Sequence, residues 1–434
     1  MTDRQAFNAG LLEFLAEAVT PFHAAQALER RLCEAGFVVG QTLDEAADDA
    51  AGLVFRRGGS LIALRRGSAP LMEQGLRMVG AHTDSPCLMI KPQPEQREVG
   101  YQQLGVEVYG GALLNPWFDR DLSIAGRVSF AGHGGTVQTA LVDFRRPVAV
   151  VPSLAIHLDR EANSNRSVNA QTQMAPIVGL AGEDDWDLRG LLTAELEAAG
   201  RSVGAILDFE LCCYDTQAPA LVGLREEFIA SARLDNLLSC YAGMQALLGT
   251  GDAPWSLLIC NDHEEVGSQS ASGAQGPMLR DFVVGLLPRS ADLPLLMERS
   301  MMISADNAHG VHPNYRDRHD PKHGPRLNGG PVIKVNASQR YASSSDGAGL
   351  FRLLAGRLAV PVQSFAMRAD MACGSTIGPI TAGELGVTTL DVGVPTFAMH
   401  SIRELAGSED GWSLARILER YFAQPGPLFA AVEN

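Results

Sequence analysis

Two adjacent glutamates, Glu264 and Glu265, are the residues whose types and spacing most clearly suggest chemistry in this sequence. They follow the apolar run Leu257 to Cys260, which predicts a buried strand ending in a loop, the usual place for a site in an open α/β sheet. Adjacent side chains in extended backbone point in different directions, so one carboxylate could bind a metal ion while the other faces what the ion activates. Taken alone, the pair is more typical of a solvated acidic turn.

Two other apolar runs also end at potential metal ligands. The run Arg77 to Ala81 ends at His82, and Asp84 lies two residues further on. This spacing suits a metal-bound imidazole whose second ring nitrogen is held by a carboxylate. The run Met301 to Ser304 likewise ends close to Asp306. The same pattern, a predicted strand that ends at a potential ligand, therefore occurs three times.

Asp235 and His400 complete the set of candidate ligands. Asp235 lies at the start of a predicted helix, where an aspartate is as often an N-cap as a ligand. His400 follows the strand-like run Thr396 to Met399. The candidates at strand ends or at a helix start are thus His82, Asp235, Glu265, Asp306 and His400.

These ligands favour a dinuclear metal centre. Imidazole and carboxylate ligands without a thiolate suit two divalent ions, zinc or its relatives cobalt and manganese, that share one bridging carboxylate, for which we choose Asp235. Such a centre hydrolyses unactivated acyl bonds, because it lowers the pKa of water and neutralises the oxyanion. Glu264 would take the proton from the water and pass it to the leaving amine.

The composition indicates a large core and two domains: the chain has 434 residues, of which 46% are hydrophobic. A net charge of −15 argues against nucleic acid or an anionic membrane as a partner, because phosphate binding needs a concentrated basic face. The absence of a long apolar run or a signal-like start predicts no membrane span and a cytoplasmic location. Seven cysteines without CxxC spacing favour a reducing compartment.

Hydrophobic spacing predicts the elements around these residues. Helices are expected at residues 5–19, 24–35, 187–199 and 412–422. A hairpin is expected from Leu53–Phe55 and Ser60–Leu64, and short β-like runs broken by glycines fill the region from about 93 to 225. We therefore predict an α/β fold with a discontinuous catalytic domain, residues 1–92 and 232–434, and an inserted β-rich domain, residues 93–231.

Nine strings, in order along nearly the whole chain, resemble the aspartyl aminopeptidases: TPFH at Thr20, HTDSP at His82, WFDRDL at Trp117, ARLDN at Ala232, DHEEVGS at Asp262, AHGVHPNY at Ala308, VIKVN at Val332, CGSTIGP at Cys373 and MHSIRE at Met399. These are cytosolic dinuclear metallopeptidases. The resemblance implies a mixed-sheet zinc-peptidase domain of the phosphorylase/hydrolase-like type, an inserted dimerisation domain, and a tetrahedral dodecamer that encloses its active sites.

The resemblance also implies roles for individual residues. His82, Asp235 and Asp306 would hold one metal ion, and Asp235, Glu265 and His400 the other. Glu264 would be the general base and Asp84 the partner that orients His82. This ligand set agrees with the one that the residue types and positions predict.

His157 has three interpretations. Its position in the inserted domain is typical of a core or surface histidine, whereas the resemblance implies a histidine that reaches into a neighbouring subunit and steadies the substrate or oxyanion. The sequence also leaves open a zinc site formed by His82, His157 and His400.

The substrate pocket would need a cation, because a protein of net charge −15 repels acidic peptides. The resemblance assigns Lys334 to the side-chain carboxylate of a substrate that begins with Asp or Glu; the alternative is a strand-edge lysine facing water. Residues in matching segments that could shape the pocket are Arg340, Tyr341, Ser375 and Thr376.

The leading hypothesis is a metal-dependent aminopeptidase that prefers acidic N-terminal residues. A dinuclear deacylase or carboxypeptidase would use the same chemistry with a cation for the substrate C-terminus. A non-catalytic assembly protein with the same fold would be free to lose Glu264 or a ligand, and none of these residues is missing.

Overall fold

The computed structural model describes residues 2–40, 42, 50–182, 186–251 and 254–429. This part of the chain forms two compact units. The first contains Met1–Asp84, Pro219–Met399 and Glu404–Asn434, and the second contains Ser85–Ala218 together with His400–Arg403. The fold class is mixed α/β, as predicted.

The elements of the described residues are numbered in chain order. The helices are α1 (Asp3–Glu17), α2 (Pro21–Glu34), α3 (Leu71–Gln74), α4 (Ala170–Gln173), α5 (Leu188–Ala198), α6 (Leu234–Gly249), α7 (Met278–Gly285), α8 (Leu293–Glu298), α9 (Ser345–Arg357), α10 (Ile377–Leu385) and α11 (Asp410–Phe422). The strands are β1 (Phe37–Val39), β2 (Gly52–Arg57), β3 (Ser60–Arg65), β4 (Arg77–His82), β5 (Cys87–Glu98), β6 (Tyr101–Tyr109), β7 (Leu122–Ala131), β8 (Val137–Asp143), β9 (Ile177–Leu180), β10 (Ile206–Asp215), β11 (Ala220–Val222), β12 (Phe228–Ser231), β13 (Ser256–Asn261), β14 (Met301–Ala305), β15 (Ala308–His309), β16 (Val332–Val335), β17 (Gln363–Ala366), β18 (Thr388–Gly393), β19 (Pro395–Phe397) and β20 (Glu404–Gly407).

The first unit is built on a nine-stranded sheet in the order β1-β2-β3-β13-β4-β14-β18-β16-β17. Its four central strands, β13, β4, β14 and β18, run parallel, while β3 and β16 pair with them antiparallel. Because the central strands are parallel, all four end at the same edge of the sheet. A smaller sheet of five strands, β11-β12-β20-β19-β15, completes this unit.

Alternating side chains of the central strands pack on the two faces of the sheet. Leu258 and Cys260 of β13 lie in a cluster with buried residues of α1, α2, α6, α9 and α11. Their neighbours Leu257 and Ile259 lie in a second cluster with residues of α7, α8 and α10. Helices therefore cover both faces, which explains why the central strands are continuous apolar runs.

The second unit contains a six-stranded antiparallel sheet in the order β8-β7-β10-β5-β6-β9. Its own cluster of buried residues includes Trp117, Leu122 and Leu211.

No helix among the described residues is both long enough and apolar enough to cross a membrane.

Both boundaries of the inserted segment differ from the predicted 93 and 231. The second unit begins at Ser85, because β5 pairs with β6 and β10 within that unit. It ends at Ala218, because β11 and β12 pair with each other and β12 with β20 in the first unit. Both boundaries depend on strand partners distant in sequence, which a local pattern does not reveal.

Asp410, at the start of α11, ties together two distant segments of the first unit. Its fully buried carboxylate accepts hydrogen bonds from the backbone N–H groups of Asn328, at 2.6 Å, and Gly330, at 2.8 Å. Burial raises the pKa of Asp410 to about 6. The loop that it holds leads directly into β16, which carries Lys334.

The raised pKa of Asp410 predicts a pH-dependent stability difference between the wild type and Asp410→Asn. The folded protein binds this proton more tightly than the unfolded chain, so the contribution of the carboxyl group to stability is full below the unfolded pKa and is lost as the pH rises through about 6. The free energy of unfolding of the wild type, minus that of the variant, should fall by about 2–3 kcal/mol between roughly pH 4 and pH 7.

Urea unfolding at several pH values measures this difference, and all other titrating groups are common to both proteins. Asp346→Asn, an exposed substitution in the first turn of α9, is the matched control and should show no such trend. A difference between the wild type and Asp410→Asn that stays constant with pH would contradict the prediction.

Candidate metal centre

The register of the nine-stranded sheet brings three predicted ligand positions together. Asn261 at the end of β13 pairs with His82 at the end of β4, so the loop that follows β13 begins beside His82. On the other side of β4, Ser304 of β14 pairs with Gly80, which places Asp306 just beyond the strand end. The edge formed by the carboxyl ends of these parallel strands is where α/β proteins place their sites.

His82 has a defined tautomer in this arrangement. Its side chain is buried, and Nδ1 lies 3.0 Å from the backbone oxygen of Asp84. A carbonyl oxygen only accepts hydrogen bonds, so Nδ1 donates and the lone pair of the ring lies on Nε2. Nε2 lies 3.5 Å from Oδ1 of Asp235 and 3.7 Å from Oδ1 of Asp306.

These separations fit a divalent ion between the three ligand atoms. Two atoms that each lie about 2.0–2.1 Å from zinc in tetrahedral geometry are separated by about 3.3–3.5 Å. The potential ligand atoms of His82, Asp235 and Asp306 all lie within 4.8 Å of one another, and all three residues are buried. The donor set is imidazole and carboxylate, which suits zinc, cobalt or manganese.

Contacts from β14 and β20 fix Asp235 at the start of α6. Its backbone N–H donates to Oε2 of Glu404 at 2.8 Å. The next residue, Asn236, donates through Nδ2 to the backbone oxygen of Ala305, the residue before Asp306. Asp235 and Asn236 have non-helical dihedral angles, so the regular helix begins after them, and Oδ1 of Asp235 faces His82.

Asp84 connects His82 to the two adjacent glutamates. Its fully buried carboxylate accepts the backbone N–H of Glu264 through Oδ1, at 3.1 Å, and that of Glu265 through Oδ2, at 3.0 Å. Oδ1 also lies 3.4 Å from Nδ1 of His82. The turn itself is closed by Gly267, whose φ of 97° favours glycine. One carboxylate therefore positions both the imidazole and the glutamate pair.

The electrostatics of the cluster favour a bound cation. Burial alone would lower the pKa of His82, but the carboxylates of Asp235 and Asp306 raise it well above its ordinary value. Burial, reinforced by the charges of Asp306 and Glu265, raises the pKa of Glu264 to about 8, although His82 opposes this shift. These carboxylates repel one another, and a divalent ion between them relieves that repulsion.

Lys334 lies beside Asp306, a potential metal ligand, and does not face water, which excludes the interpretation of a solvated strand-edge lysine. Its side chain is only 2% exposed. Nζ lies 3.2 Å from Oδ2 of Asp306, 3.2 Å from the backbone oxygen of Asn307, and 5.1 Å from the centre of the Tyr341 ring.

The other predicted pocket residues occupy two loops. Arg340 and Ser375 are exposed and adjacent, since the Ser375 hydroxyl donates to the backbone oxygen of Arg340 at 3.2 Å. Thr376 is buried and donates to Oδ1 of Asp391 at 2.6 Å. Oδ2 of Asp391 accepts the backbone N–H of Ala342 at 2.6 Å. Asp391 thus fastens both loops to β18.

His157 and His400 belong to the second unit. His157 lies in an exposed turn and in none of the clusters of potential metal ligands found among the described residues. Nδ1 of His400 lies 3.1 Å from the backbone oxygen of Gly111. Nδ1 therefore donates, and the lone pair of this ring also lies on Nε2.

Sequence reasoning assigned no role to Glu404 or Asp391, although both side chains organise this region. Asp391 had a detectable signal, because it is an ionisable residue within the apolar run Thr389 to Val392. Such a residue in a central strand is rarely left unpaired. Glu404 lies in the matching string MHSIRE, but its link to Asp235 is visible only in the folded chain.

Comparison with known proteins gives a consistent result. The family model described as "Aminopeptidase I zinc metalloprotease (M18)" matches residues 14–422. A curated relative from Azotobacter vinelandii, "Probable M18 family aminopeptidase 2", is 55% identical over 97% of this chain and 99% of its own length. A protein of the same name from Pseudomonas syringae pv. syringae is also 55% identical, over 97% of this chain and 99% of its own.

Solved structures agree with this relationship. A chain of the structure described as "Cryo-EM structure of the Ape4 and Nbr1 complex" superposes with a TM-score of 0.92 at 36% identity, covering 97% of this chain and 86% of that chain. The Saccharomyces cerevisiae "mApe1 dodecamer" superposes with a TM-score of 0.83 at 26% identity, covering 96% of each chain.

The position of Asp84 predicts that Asp84→Asn weakens metal binding. The amide cannot accept both backbone N–H groups of the glutamate turn, and it lacks the charge that favours the donating tautomer of His82. Outer partners of this kind are worth about 10–100-fold in metal affinity. Zinc remaining after dialysis against graded chelator concentrations measures the loss.

Asp281→Asn, on the exposed side of α7, is the control and should retain zinc like the wild type. Equal zinc retention by Asp84→Asn and the control would mean that the contacts of Asp84 do not support the metal site.

Proposed function

The chain belongs to the M18 family of zinc metalloaminopeptidases, and from this premise we propose that it uses two divalent ions and Glu264 to release acidic residues from peptide N-termini. The observation that carries the proposal is the cluster of His82, Asp235 and Asp306 at the sheet edge, with Glu264 held beside it by Asp84. Aminopeptidase activity follows from the family; the number of ions, the acidic preference and the residue roles are our proposals.

We assign one ion to His82, Asp235 and Asp306, and a second to Asp235, Glu265 and His400. Two observations support the second set. Potential ligand atoms of Asp235 and Glu265 lie within 4.8 Å of each other, and the hydrogen bond from Nδ1 of His400 leaves its lone pair on Nε2. When bound, the ions act as Lewis acids for water and for the scissile carbonyl group.

Glu264 is the general base of the proposed reaction. It accepts a proton from the attacking water and then donates it to the leaving amine, so the carboxylate is regenerated in each cycle. Asp84 fixes the backbone of Glu264, which holds the carboxylate in place.

Lys334 is the proposed cation for an acidic N-terminal side chain. Its buried ammonium group lies next to Asp306, a predicted metal ligand, in a protein whose net charge is −15. A substrate carboxylate bound there would have its α-amino group and scissile bond near the ions. Tyr341 closes one side of the ammonium group, and Arg340 and Ser375 lie in the adjoining loops.

We further propose that the chain assembles into a dodecamer, in which His157 of one subunit contacts substrate bound to its neighbour. The support is the similarity to the yeast protein whose structure is described as a dodecamer, together with the exposed turn that carries His157. Leu154, Ile156 and Leu158 of the same turn are also exposed, which suits a contact surface.

The proposed role of Glu264 predicts a large loss of activity in Glu264→Gln. Metal-loaded wild type and variant are given matched peptides that begin with Asp, Glu, Leu or Lys, and the released amino acid is measured. Removal of a general base should lower kcat by about 10²-fold or more on every peptide, while zinc content stays unchanged. Glu298→Gln, an exposed substitution on α8, serves as the control.

The same assay tests the acidic preference through the wild type. Preference for Asp and Glu peptides supports the cationic pocket. Equal cleavage of Leu peptides would still support an aminopeptidase but would contradict a role for Lys334 in substrate recognition. Release from the C-terminus, or only from N-acyl substrates, would favour a carboxypeptidase or deacylase instead.

The proposed contact of His157 with a neighbouring subunit predicts that two inactive variants complement each other. His157→Ala and Glu264→Gln subunits are dissociated, mixed in equal amounts and reassembled. If His157 acts in a neighbouring subunit, random assortment gives about a quarter of the sites both intact groups, and activity rises well above that of either parent oligomer. If His157 acts within its own subunit or not at all, mixing produces no such gain.

A further inference from the structure

The two carboxylate oxygens of Asp306 face different partners. Oδ1 lies 3.7 Å from Nε2 of His82, on the side of the proposed metal ion. Oδ2 lies 3.2 Å from Nζ of Lys334. The lysine therefore contacts the oxygen of Asp306 that does not face the proposed ion. In metalloproteins, a group that binds this second oxygen orients the ligating carboxylate.

Lys334 is held in this position by several contacts. Its ammonium group carries three donors, of which two point to Oδ2 of Asp306 and the backbone oxygen of Asn307. The ring of Tyr341, with its centre 5.1 Å away, lies within the range of a cation–π contact. The lysine side chain is 2% exposed, so little freedom remains for it to move toward another group.

A second carboxylate in this region, that of Asp391, feels the charge of Lys334, which opposes the rise of its pKa on burial. The antiparallel register of β16 and β18 pairs Ile333 with Val392, which puts Asp391 next to Lys334 in the sheet. The oxygens of Asp391 accept hydrogen bonds from the Thr376 hydroxyl and the Ala342 backbone N–H, each at 2.6 Å. The direct ion pair of Lys334 is the one with Asp306, at 3.2 Å.

We propose that Lys334 is a positioning residue for the metal centre: by binding Oδ2, it holds Asp306 as a single-oxygen ligand and thereby sets metal retention and the rate of hydrolysis for every substrate. The inference rests on the proposed metal site of His82, Asp235 and Asp306. The inference extends the role of Lys334 beyond recognition of an acidic side chain. It requires that loss of the lysine also slows hydrolysis of peptides that carry no acidic side chain.

The test compares Lys334→Met, which keeps the volume but removes charge and donors, with Lys334→Gln, which keeps a donor for Asp306. Lys322→Met is the matched control, since Lys322 is an exposed lysine in the same unit. Each protein is loaded with Co²⁺, its visible absorption spectrum is recorded, and loss of Co²⁺ to excess chelator is timed. The zinc-loaded proteins are then assayed for kcat and KM on Asp and Leu peptides.

Lys334→Met should release Co²⁺ at least 10-fold faster than the wild type and show a changed visible spectrum, because Asp306 is free to rotate or to bind through both oxygens. Its kcat on Leu peptides should fall along with that on Asp peptides. Lys334→Gln should show intermediate metal loss, and Lys322→Met should match the wild type. Circular dichroism checks folding, and if Lys334→Met is unfolded, Lys334→Gln decides.

The outcomes separate this inference from the proposed acidic preference. Unchanged Co²⁺ loss and spectrum, with a defect confined to Asp peptides, would overturn the inference and leave the acidic preference standing. Faster metal loss with equal defects on Asp and Leu peptides would support the inference and contradict a role for Lys334 in substrate recognition. No change in metal retention or in either peptide would overturn both.

Discussion

The concentration of carboxylates at one edge of the nine-stranded sheet is the constraint on which the site depends. Asp84, Asp235 and Asp306 surround one buried imidazole, and Glu264 and Glu265 lie beside it. Such a cluster is stable only if cations and directed N–H groups offset the repulsion of the charges. The zinc chemistry of the family, the hydrogen bonds of Asp84 and the ammonium group of Lys334 all meet this requirement.

The sheet makes this concentration of charge possible. Because β4, β13, β14 and β18 are parallel and adjacent, residues far apart in the chain end their strands at one edge. The apolar clusters on both faces hold the strands in register, and helices cover them. The energy that keeps the carboxylates close therefore comes from burial of apolar surface elsewhere in the unit, where it does not interfere with the polar groups of the site.

In the proposed mechanism, the contacts of Asp306 would link substrate recognition to catalysis. One of its oxygens faces His82 and the other faces Lys334, so a change at the lysine would alter the field and the geometry at the proposed metal position. A substrate carboxylate near Lys334 would act on the same pair of charges. The preference for an acidic side chain and the activity of the metal centre would then both depend on the contact between Asp306 and Lys334. Such a shared contact favours coupling between substrate binding and the rate of hydrolysis.

The sequence by itself determined the α/β class, the main helices and hairpin, and the types and order of the residues at strand ends, because strand ends and amphipathic periods are local patterns. It did not reveal α9 or α10, whose glycine-containing segments have weak helical propensity and are helical through burial against the sheet. The tertiary structure alone decided that β5 joins the second unit and β12 the first. It also decided that Glu404 holds Asp235, that Asp391 fastens two loops, and that Lys334 binds Asp306. These contacts join residues of different strands and loops, and their geometry is set by sheet order and register, which depend on the packing of the whole unit.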